Sequence, residues 1–279
     1  MWKPEHRRAA DRSSLRYPSD LTNAEWELVA PKIPPARHGG RRRSVNVREV
    51  LNGIFYILWT GCQWKALPKD LPPKSTVHDY LELWNWDGTL ERIHHELYVA
   101  VREQERPRTE PNSGYYRLAD RQGRAKRGSW LDPSGYDAGK KIKGRKRHIL
   151  VDTLGLLLNV VVHPADVQDR DGAFDLLRRA RRMFPFIERI FADGGYAGGK
   201  MALTMWRTGV WRLQIVKRSD VAGFEVLPKR WIVERTFAWI SRNRRLARDF
   251  ERYAATAAAF VRLAMIRIML RRLAANASS

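Results

Sequence analysis

One stretch decides how this chain is organised: PKRWIVERTFAWI, residues 228–240. Pro228 is typical of a helix start. Three apolar residues then recur at the spacing of one helical face: Val233, Phe237 and Ile240. Glu234 lies about 100° around such a helix from its neighbour, at the edge of this apolar stripe. Taken alone, a carboxylate there is a surface residue that pairs with Arg230. The other segments give Glu234 a different role.

The overall charge indicates a polyanionic partner. The chain has 279 residues, with 52 Lys and Arg against 30 Asp and Glu, for a net charge of +22. A surplus of this size favours nucleic acid, and a membrane surface is the second choice. No apolar run approaches the 18 residues of a membrane span, and the N-terminus lacks the apolar core of a secretory signal. A single cysteine, Cys62, excludes an internal disulfide and a multi-cysteine zinc site. We therefore expect a cytoplasmic, nucleoid-associated protein.

The first hundred residues read as helices. Residues 1–19 form a flexible basic N-terminus, 20–102 a helical DNA-binding domain, and 103–114 a linker. Thr22 and Glu25 make a capping box, and a helix over 47–60 stops at a glycine. Helices over 75–86, capped by Ser75, and over 89–102 follow, and we read His94 and His95 as surface residues. The segments at 62–67 and 75–86 resemble a helix-turn-helix, whose second helix would bring two side chains to DNA: Lys74 and His78.

The second half, residues 115–279, changes to alternating strands and helices. Strands are predicted over 115–119, 147–152, 156–163, 186–192 and 211–216, with a hairpin turn at 153–155. Helices are predicted over 171–183 and 200–207, then at Glu234, and over 256–273. The order matches a ribonuclease H-like fold, a mixed sheet with helices on both faces. The fold class is therefore mixed α/β, with an all-α domain in front.

In such a fold, acids at the ends of the first and fourth strands meet one from a later helix. These positions hold Asp120, Asp193 and Glu234. Three clustered carboxylates repel one another unless cations neutralise them. Oxygen ligands suit Mg²⁺ or Mn²⁺, and two such ions about 3.5–4 Å apart hold the entering and leaving oxygens of a phosphodiester. His163 ends a strand and is read as structural.

Several stretches resemble the insertion-sequence-five family of bacterial DDE transposases. They are GYDAGKK (135–141), GRKRH (144–148), HPADVQDRD (163–171), ADGGYAG (192–198) and WIVERTFAW (231–239), with TGCQW (60–64) in the helical domain. The similarity covers about residues 20–273. It implies that Asp193 and Glu234 are the middle and last catalytic acids and that Asp120 is the first, with Asp152 and Asp137 as alternatives. The residues around Asp120 depart from the family pattern, since Arg121 and Gly123 replace serines.

Two basic segments are predicted to bind phosphates. Six cations lie between 140 and 147, just before the second strand: Lys140, Lys141, Lys143, Arg145, Lys146 and Arg147. Others flank the Glu234 helix: Arg230, Arg242, Arg244, Arg245 and Arg248. Both segments would lie near the acids in such a fold, and Trp231 or Trp239 could stack on an unpaired base.

The predicted function is DNA transposition. The resemblance implies an enzyme that binds the terminal inverted repeats of an insertion sequence and cleaves a phosphodiester with two Mg²⁺ or Mn²⁺ ions. The released 3′-OH would then join to target DNA. Two element ends must meet, which implies a homodimer in the DNA complex. The alternatives are a degenerate transposase that only binds DNA, and a ribonuclease H-like nuclease without strand transfer.

Overall fold

The chain forms two compact units in a computed structural model. Backbone is described for residues 11–36, 39, 42–105, 113–122, 132–139, 141–193, 196, 198–208, 212–216 and 230–277, and side chains for these except 113–122, 170, 193, 200, 216, 230 and 277. The first unit combines Met1–Gln104 with Asn243–Arg245 and Arg262–Ser279, and the second combines Glu105–Arg242 with Leu246–Val261. The end of the chain therefore belongs to the helical unit, whereas the sequence analysis placed all of 115–279 in one domain.

The first unit is built from helices: α1 (Asn23–Val29), α2 (Val47–Thr60), α3 (Lys74–Trp86) and α4 (Thr89–Gln104). The predicted capping box is confirmed, since the Thr22 hydroxyl accepts from the Glu25 amide and the Glu25 carboxylate accepts from the Thr22 amide. Helix α2 ends where Gly61 adopts a φ of 67°, a left-handed conformation that favours glycine. These local signals therefore set the helix boundaries as predicted.

Two predictions about the helices of this unit are wrong. Helix α3 begins at Lys74 after Pro73, without a side-chain cap, so Ser75 lies inside the helix. The segment predicted as the first helix of a helix-turn-helix holds only one 3₁₀ turn, Trp64–Ala66. Residues 61–73 thus separate α2 from α3, a longer connection than the three or four residues of that motif.

The second unit contains a six-stranded sheet. Its strands are β1 (Ser113–Gln122), β2 (Gly135–Asp137), β3 (Ile142–Asp152), β4 (Leu157–Pro164), β5 (Arg189–Asp193) and β6 (Arg212–Val216). The strands lie in the order β2-β3-β1-β5-β6. Strand β4 also pairs with β3, along the residues that follow those paired with the short β2. Strands β1, β3 and β4 are antiparallel, and β1, β5 and β6 are parallel. This is the strand order expected of a ribonuclease H-like sheet, with β2 as an addition that the sequence analysis missed.

Three helices accompany this sheet: α5 (Asp169–Met183), α6 (Gly199–Thr208) and α7 (Arg230–Ser241). Helix α5 packs on β3, β4 and α6, while α7 packs on β1. The buried face of the sheet is apolar, for example at Ile149, Val151 and Ile190. Burial of such side chains contributes roughly 1.5–3 kcal/mol each. The element that carries Glu234 therefore lies against the central strand.

Two helices complete the chain: α8 (Arg244–Ala247) and α9 (Ala254–Ala277). From Arg262 onward α9 belongs to the first unit, where Leu263, Met265 and Met269 are buried. Arg262 pairs there with Glu91 at 3.2 Å. A helix that is apolar on nearly all sides requires a core, and the helical unit supplies it. Within the described parts of the chain, no helix has both the length and the apolar character needed to cross a membrane.

Candidate active site

Helix α7 presents Glu234 on its exposed side. Ile232, Val233, Thr236 and Ile240 are buried, whereas Trp231, Glu234 and Ala238 are exposed at helical spacing. The predicted apolar stripe is confirmed at Val233 and Ile240, while Phe237 is only half-buried and the fully buried Thr236 was not predicted. A carboxylate that projects away from the packed face can be reached by a ligand.

Two side chains fix α7 to the hairpin turn between β3 and β4. The Arg235 guanidinium donates to the Leu154 carbonyl at 2.7 Å, and the Thr236 hydroxyl donates to the Gly155 carbonyl at 2.7 Å. Gly155 has a φ of 76°, and a Cβ there would lie 2.9 Å from the Thr236 hydroxyl oxygen. The turn therefore requires glycine for both its backbone conformation and its close contact with α7. A threonine inside an apolar helix face was the sequence signal for this contact.

The other two candidate acids lie on neighbouring strands. Asp193 is the last residue of β5, and Asp120 lies in β1 beside Lys146 of β3. Strands β1 and β5 pair from 113↔189 to 115↔191. If the two strands continue at this register, position 117 of β1 lies beside Asp193. Asp120 is three residues further along β1, a distance of about 10 Å. The side chains of Asp120 and Asp193 lie outside the described residues. The backbone thus places the three positions on β5, β1 and the helix packed against β1.

The alternative first acids have local structural roles. Asp152 is buried, and its carboxylate accepts from the amides of Leu154 and Leu156 at 2.9 and 2.8 Å, which forms the β3–β4 turn. Asp137 lies 3.0 Å from the Lys146 ammonium and accepts from the Gly139 amide. These contacts give both residues a role in the fold that does not require catalysis.

Among the side chains that the structure describes, no group of three potential metal ligands is found. That set contains Glu234 but neither Asp120 nor Asp193. The donor chemistry of the three predicted positions is carboxylate only, which fits a hard divalent cation rather than zinc. The residue types therefore fit Mg²⁺ or Mn²⁺.

Comparison with known proteins identifies the family. Residues 87–269 match the family described as Transposase DDE domain, and residues 21–94 match Putative transposase of IS4/5 family. The chain belongs to the DDE transposase family. A relative from Burkholderia cepacia described as a putative transposase for insertion sequence element IS402 is 33% identical over 128 residues, which cover 43% of this chain and 60% of the relative. An IS402 uncharacterized 16.2 kDa protein from the same organism is 31% identical over 83 residues, 28% of this chain and 56% of the relative. The chain thus spans little more than half of these curated relatives.

For a DDE transposase, the part of the basic run that lies in the middle of β3 is unexpectedly buried. The Arg145 guanidinium makes two contacts of 2.6 Å with the Asp249 carboxylate and donates to the Glu251 carbonyl at 2.5 Å. Arg147 donates to the Leu246 carbonyl at 2.8 Å. Both side chains are at most 3% exposed. Their predicted role in DNA binding is therefore withdrawn, because they hold residues 246–252 against the sheet.

Lys146 points to the other side of β3 and is also withdrawn as a DNA contact. Its ammonium lies 3.0 Å from both Asp137 and Asp169 and donates to the Val167 carbonyl at 3.1 Å. Burial opposes its charged form, but hydrogen bonds and attraction from the two carboxylates outweigh burial and raise the pKa of Lys146. This lysine is a structural cation that ties β3 to the start of α5.

His163 has a structural environment. Its ring packs edge-to-face on His148, with 5.2 Å between centroids, and burial lowers the pKa of His163. In the first unit, His94 is buried rather than on the surface as predicted. Burial, together with the nearby charges of Arg262 and His95, lowers the pKa of His94 to about 3. His94 is therefore uncharged in the folded protein over the physiological pH range.

The remaining predicted DNA contacts fall into three groups. Exposed side chains are available to phosphates at Lys74, His78, Lys141, Lys143, Arg242, Arg244 and Arg248. Arg245 is buried, donates to the Cys62 carbonyl at 3.2 Å and lies over the Trp64 ring, so it too is withdrawn. Lys140 and the Arg230 side chain lie outside the described residues. The exposed group keeps a surface role, while the buried cations serve the fold.

Proposed function

We propose that this chain is a DNA transposase whose catalytic acids are Asp120, Asp193 and Glu234. One observation carries the proposal: α7 is fixed to the β3–β4 turn and packs on β1, while Glu234 remains on its exposed side. The family resemblance assigns the last acid to this residue, and its exposure supports that assignment. The departures around Asp120 are the reason to test activity directly.

The three carboxylates would hold two Mg²⁺ or Mn²⁺ ions. When bound, these ions neutralise the repulsion among the acids and stabilise charge on the entering and leaving oxygens of the phosphodiester. The chain itself contributes a rigid support, since Thr236 and Arg235 prevent α7 from sliding over the turn. No covalent enzyme intermediate is needed, and the 3′-OH released by hydrolysis is the nucleophile for joining to target DNA.

The proposed substrates are double-stranded DNA, first the terminal inverted repeats of the element and then the target. Exposed side chains for the phosphate backbone are Lys74, Lys141, Lys143, Arg242, Arg244 and Arg248, with His78 nearby on α3. We also assign phosphate contacts to Lys140 and Arg230, whose side chains lie outside the described residues. Because two element ends must be brought together before joining, we propose a homodimer in the DNA complex. The strongest alternative is a DNA-binding protein that has lost catalysis, favoured by Arg121 and Gly123 beside Asp120.

The test compares conservative substitutions of the proposed acids with substitutions of the structural ones. Asp120→Asn, Asp193→Asn and Glu234→Gln should each remove Mg²⁺-dependent cleavage of element-end DNA by at least about a thousandfold, because each removes a charged metal ligand. Affinity for the same DNA, measured with Ca²⁺ in place of Mg²⁺, should stay within about threefold, since no phosphate contact is removed.

Asp137→Asn and Asp152→Asn are the matched controls and should retain cleavage. Asparagine keeps the oxygen that accepts from the turn amides at Asp152. Wild-type cleavage by Glu234→Gln would refute the assignment of α7. A wild-type protein that binds element ends but cleaves none would establish the binding-only alternative.

A further inference from the structure

Trp86, in the helical unit, is the most exposed large apolar side chain among the residues that the structure describes. It is the last residue of α3, and 82% of its surface is accessible. The buried face of α3 holds Val77, Leu81 and Trp84. At 100° per residue, Trp86 lies about 180° around the helix from Val77. The indole therefore projects away from the core of its own unit.

Trp86 continues a row of three side chains along one flank of α3. Tyr80, Leu83 and Trp86 are three residues apart, so they are neighbours on the helix surface and span about 9 Å of its axis. Tyr80 and Leu83 are half-buried. When two copies of α3 pack antiparallel about a two-fold axis at Leu83, Trp86 of each copy meets Tyr80 of the other. The row is therefore complementary to a second copy of itself.

A pocket lies beside this row and belongs to the same unit. Its volume is about 340 Å³, and the residues that line it include Pro34, Pro35, Tyr80, Leu83 and Trp84. This volume is within the range of about 300–1,000 Å³ that is typical of small-molecule sites, so an indole ring can enter. The pocket thus provides an apolar site next to the helix flank that carries Trp86.

The walls of the pocket are held in place by contacts within the unit. The Arg43 guanidinium donates to the carbonyls of Pro34 and Pro35, both at 3.1 Å, and lies over the Tyr80 ring, 5.9 Å from its centroid. Tyr80 in turn packs edge-to-face on the buried Trp84, with 5.4 Å between centroids. Little ordering remains to be done when a side chain enters, which lowers the entropic cost of binding.

The pocket also has one charge of each sign, Arg43 and Asp87. Asp87 follows Trp86 in the chain, so a copy that inserts Trp86 into its partner's pocket brings Asp87 to the partner's Arg43. A guanidinium has five N–H donors, and the two carbonyl contacts leave others for a carboxylate. In a two-fold contact the same ion pair forms twice. A partner of a single charge would satisfy only one of these groups, so charge complementarity favours a second copy.

We propose that two copies of this chain bind through the α3 flank, with Trp86 of each copy inserted into the pocket of the other. Lys74, a proposed phosphate contact, lies twelve residues before Trp86, about 18 Å along the helix, which leaves that end of α3 open to DNA. The inference goes beyond the proposed function, which requires two copies only in the DNA complex. This contact needs neither DNA nor the catalytic acids.

The test measures self-association of the full chain by sedimentation velocity without DNA or divalent metal, in NaCl that screens the net charge of +22. The wild type should sediment as a dimer at micromolar concentration. Trp86→Ser should raise the dissociation constant of the dimer by about 30- to 1,000-fold, because a two-fold contact loses two aromatic anchors at once. Thermal stability of the monomer should stay unchanged, since Trp86 is outside the core.

Two further variants make this result specific. Trp86→Phe keeps an aromatic ring and should retain most of the association. Trp206→Ser is the matched control and should remain dimeric, since Trp206 on α6 is 79% exposed but belongs to the other unit. A monomeric wild type, unchanged association in Trp86→Ser, or an equal loss in Trp206→Ser would each overturn the proposal.

A cysteine cross-link tests the position of the two-fold axis. In a Cys62→Ser background, Leu83→Cys should form a disulfide-linked dimer under mild oxidation, because the axis brings the two copies of position 83 together. His78→Cys, about 140° around the helix from Leu83, should not link. Linkage at 78 and not at 83 would show that another flank pairs and would overturn the proposal. Glu234→Gln should associate like the wild type, so a failure of the catalytic assignment is seen separately.

Discussion

Two groups of cations look alike in sequence and differ in burial: those in the middle of β3 and those on either side of α8. The β3 segment contains Arg145, Lys146 and Arg147, and each is at most 5% exposed. The cations at Arg242 and Arg248, on either side of α8, are exposed. The difference arises because β3 lies inside the sheet with both faces covered, so even its charged side chains must find internal partners. A run of cations therefore indicates DNA binding only where the fold leaves it on the surface.

The largest effect on stability is expected when a buried cation is removed. Arg145→Leu should lower the free energy of unfolding by about 3–5 kcal/mol, because it removes the guanidinium that pairs with the buried Asp249 carboxylate. Chemical denaturation of the two proteins measures the difference. The double variant Arg145→Leu/Asp249→Leu should recover much of the loss.

Lys143→Leu is the surface control on the same strand and should change stability by less than about 0.5 kcal/mol. If Arg145→Leu instead kept full stability and weakened DNA binding as strongly as surface variants do, the guanidinium would be a DNA contact after all.

The exposed cations of both segments give the converse prediction. Gln at Lys141, Lys143, Arg242, Arg244 and Arg248 should weaken binding to all duplexes alike, with stability nearly unchanged. The slope of log affinity against log salt should become shallower by about 1 for every cation that binds a phosphate, up to about 4–5 for all five. Fluorescence anisotropy over a range of NaCl concentrations measures this slope. A wild-type slope in the quintuple variant would show that these cations only solvate the surface.

The same contrast between buried and exposed groups exists for histidines in the first unit. His94 is buried with a pKa of about 3, so the unfolded chain takes up a proton near its usual pKa of 6.5 while the folded chain does not. Stability that is present above pH 6.5 is therefore lost as the pH falls towards 3. Between pH 7 and pH 5 this proton uptake should lower the free energy of unfolding of the wild type by about 2 kcal/mol. His94→Leu should remove this part of the pH dependence.

Denaturation curves at the two pH values measure the effect, with the exposed His78→Leu as the control. Identical pH dependence in wild type and His94→Leu would show that His94 is accessible to protons in the folded state.

The sequence by itself determined the capping box at Thr22, the helix end at Gly61, the hairpin turn and the helix of Glu234, because these follow from turn residues and from local patterns of two or 3.6 residues. Thr22 with Glu25 and the glycine at 61 act within one turn of their helices, so no distant contact can override them easily. The resemblance to transposases was likewise carried by contiguous residues, and the family comparison confirms it.

Only the tertiary structure decided which charges are buried. The partners of Arg145 lie more than a hundred residues away at Asp249, and those of Arg235 lie at the β3–β4 turn. Neither pair of residues is separated by a regular spacing that a sequence pattern could reveal. The same is true of the last helix, whose end enters the helical unit because its apolar surface needs that core. Long-range packing, rather than local propensity, therefore assigned each cation either to the fold or to the surface.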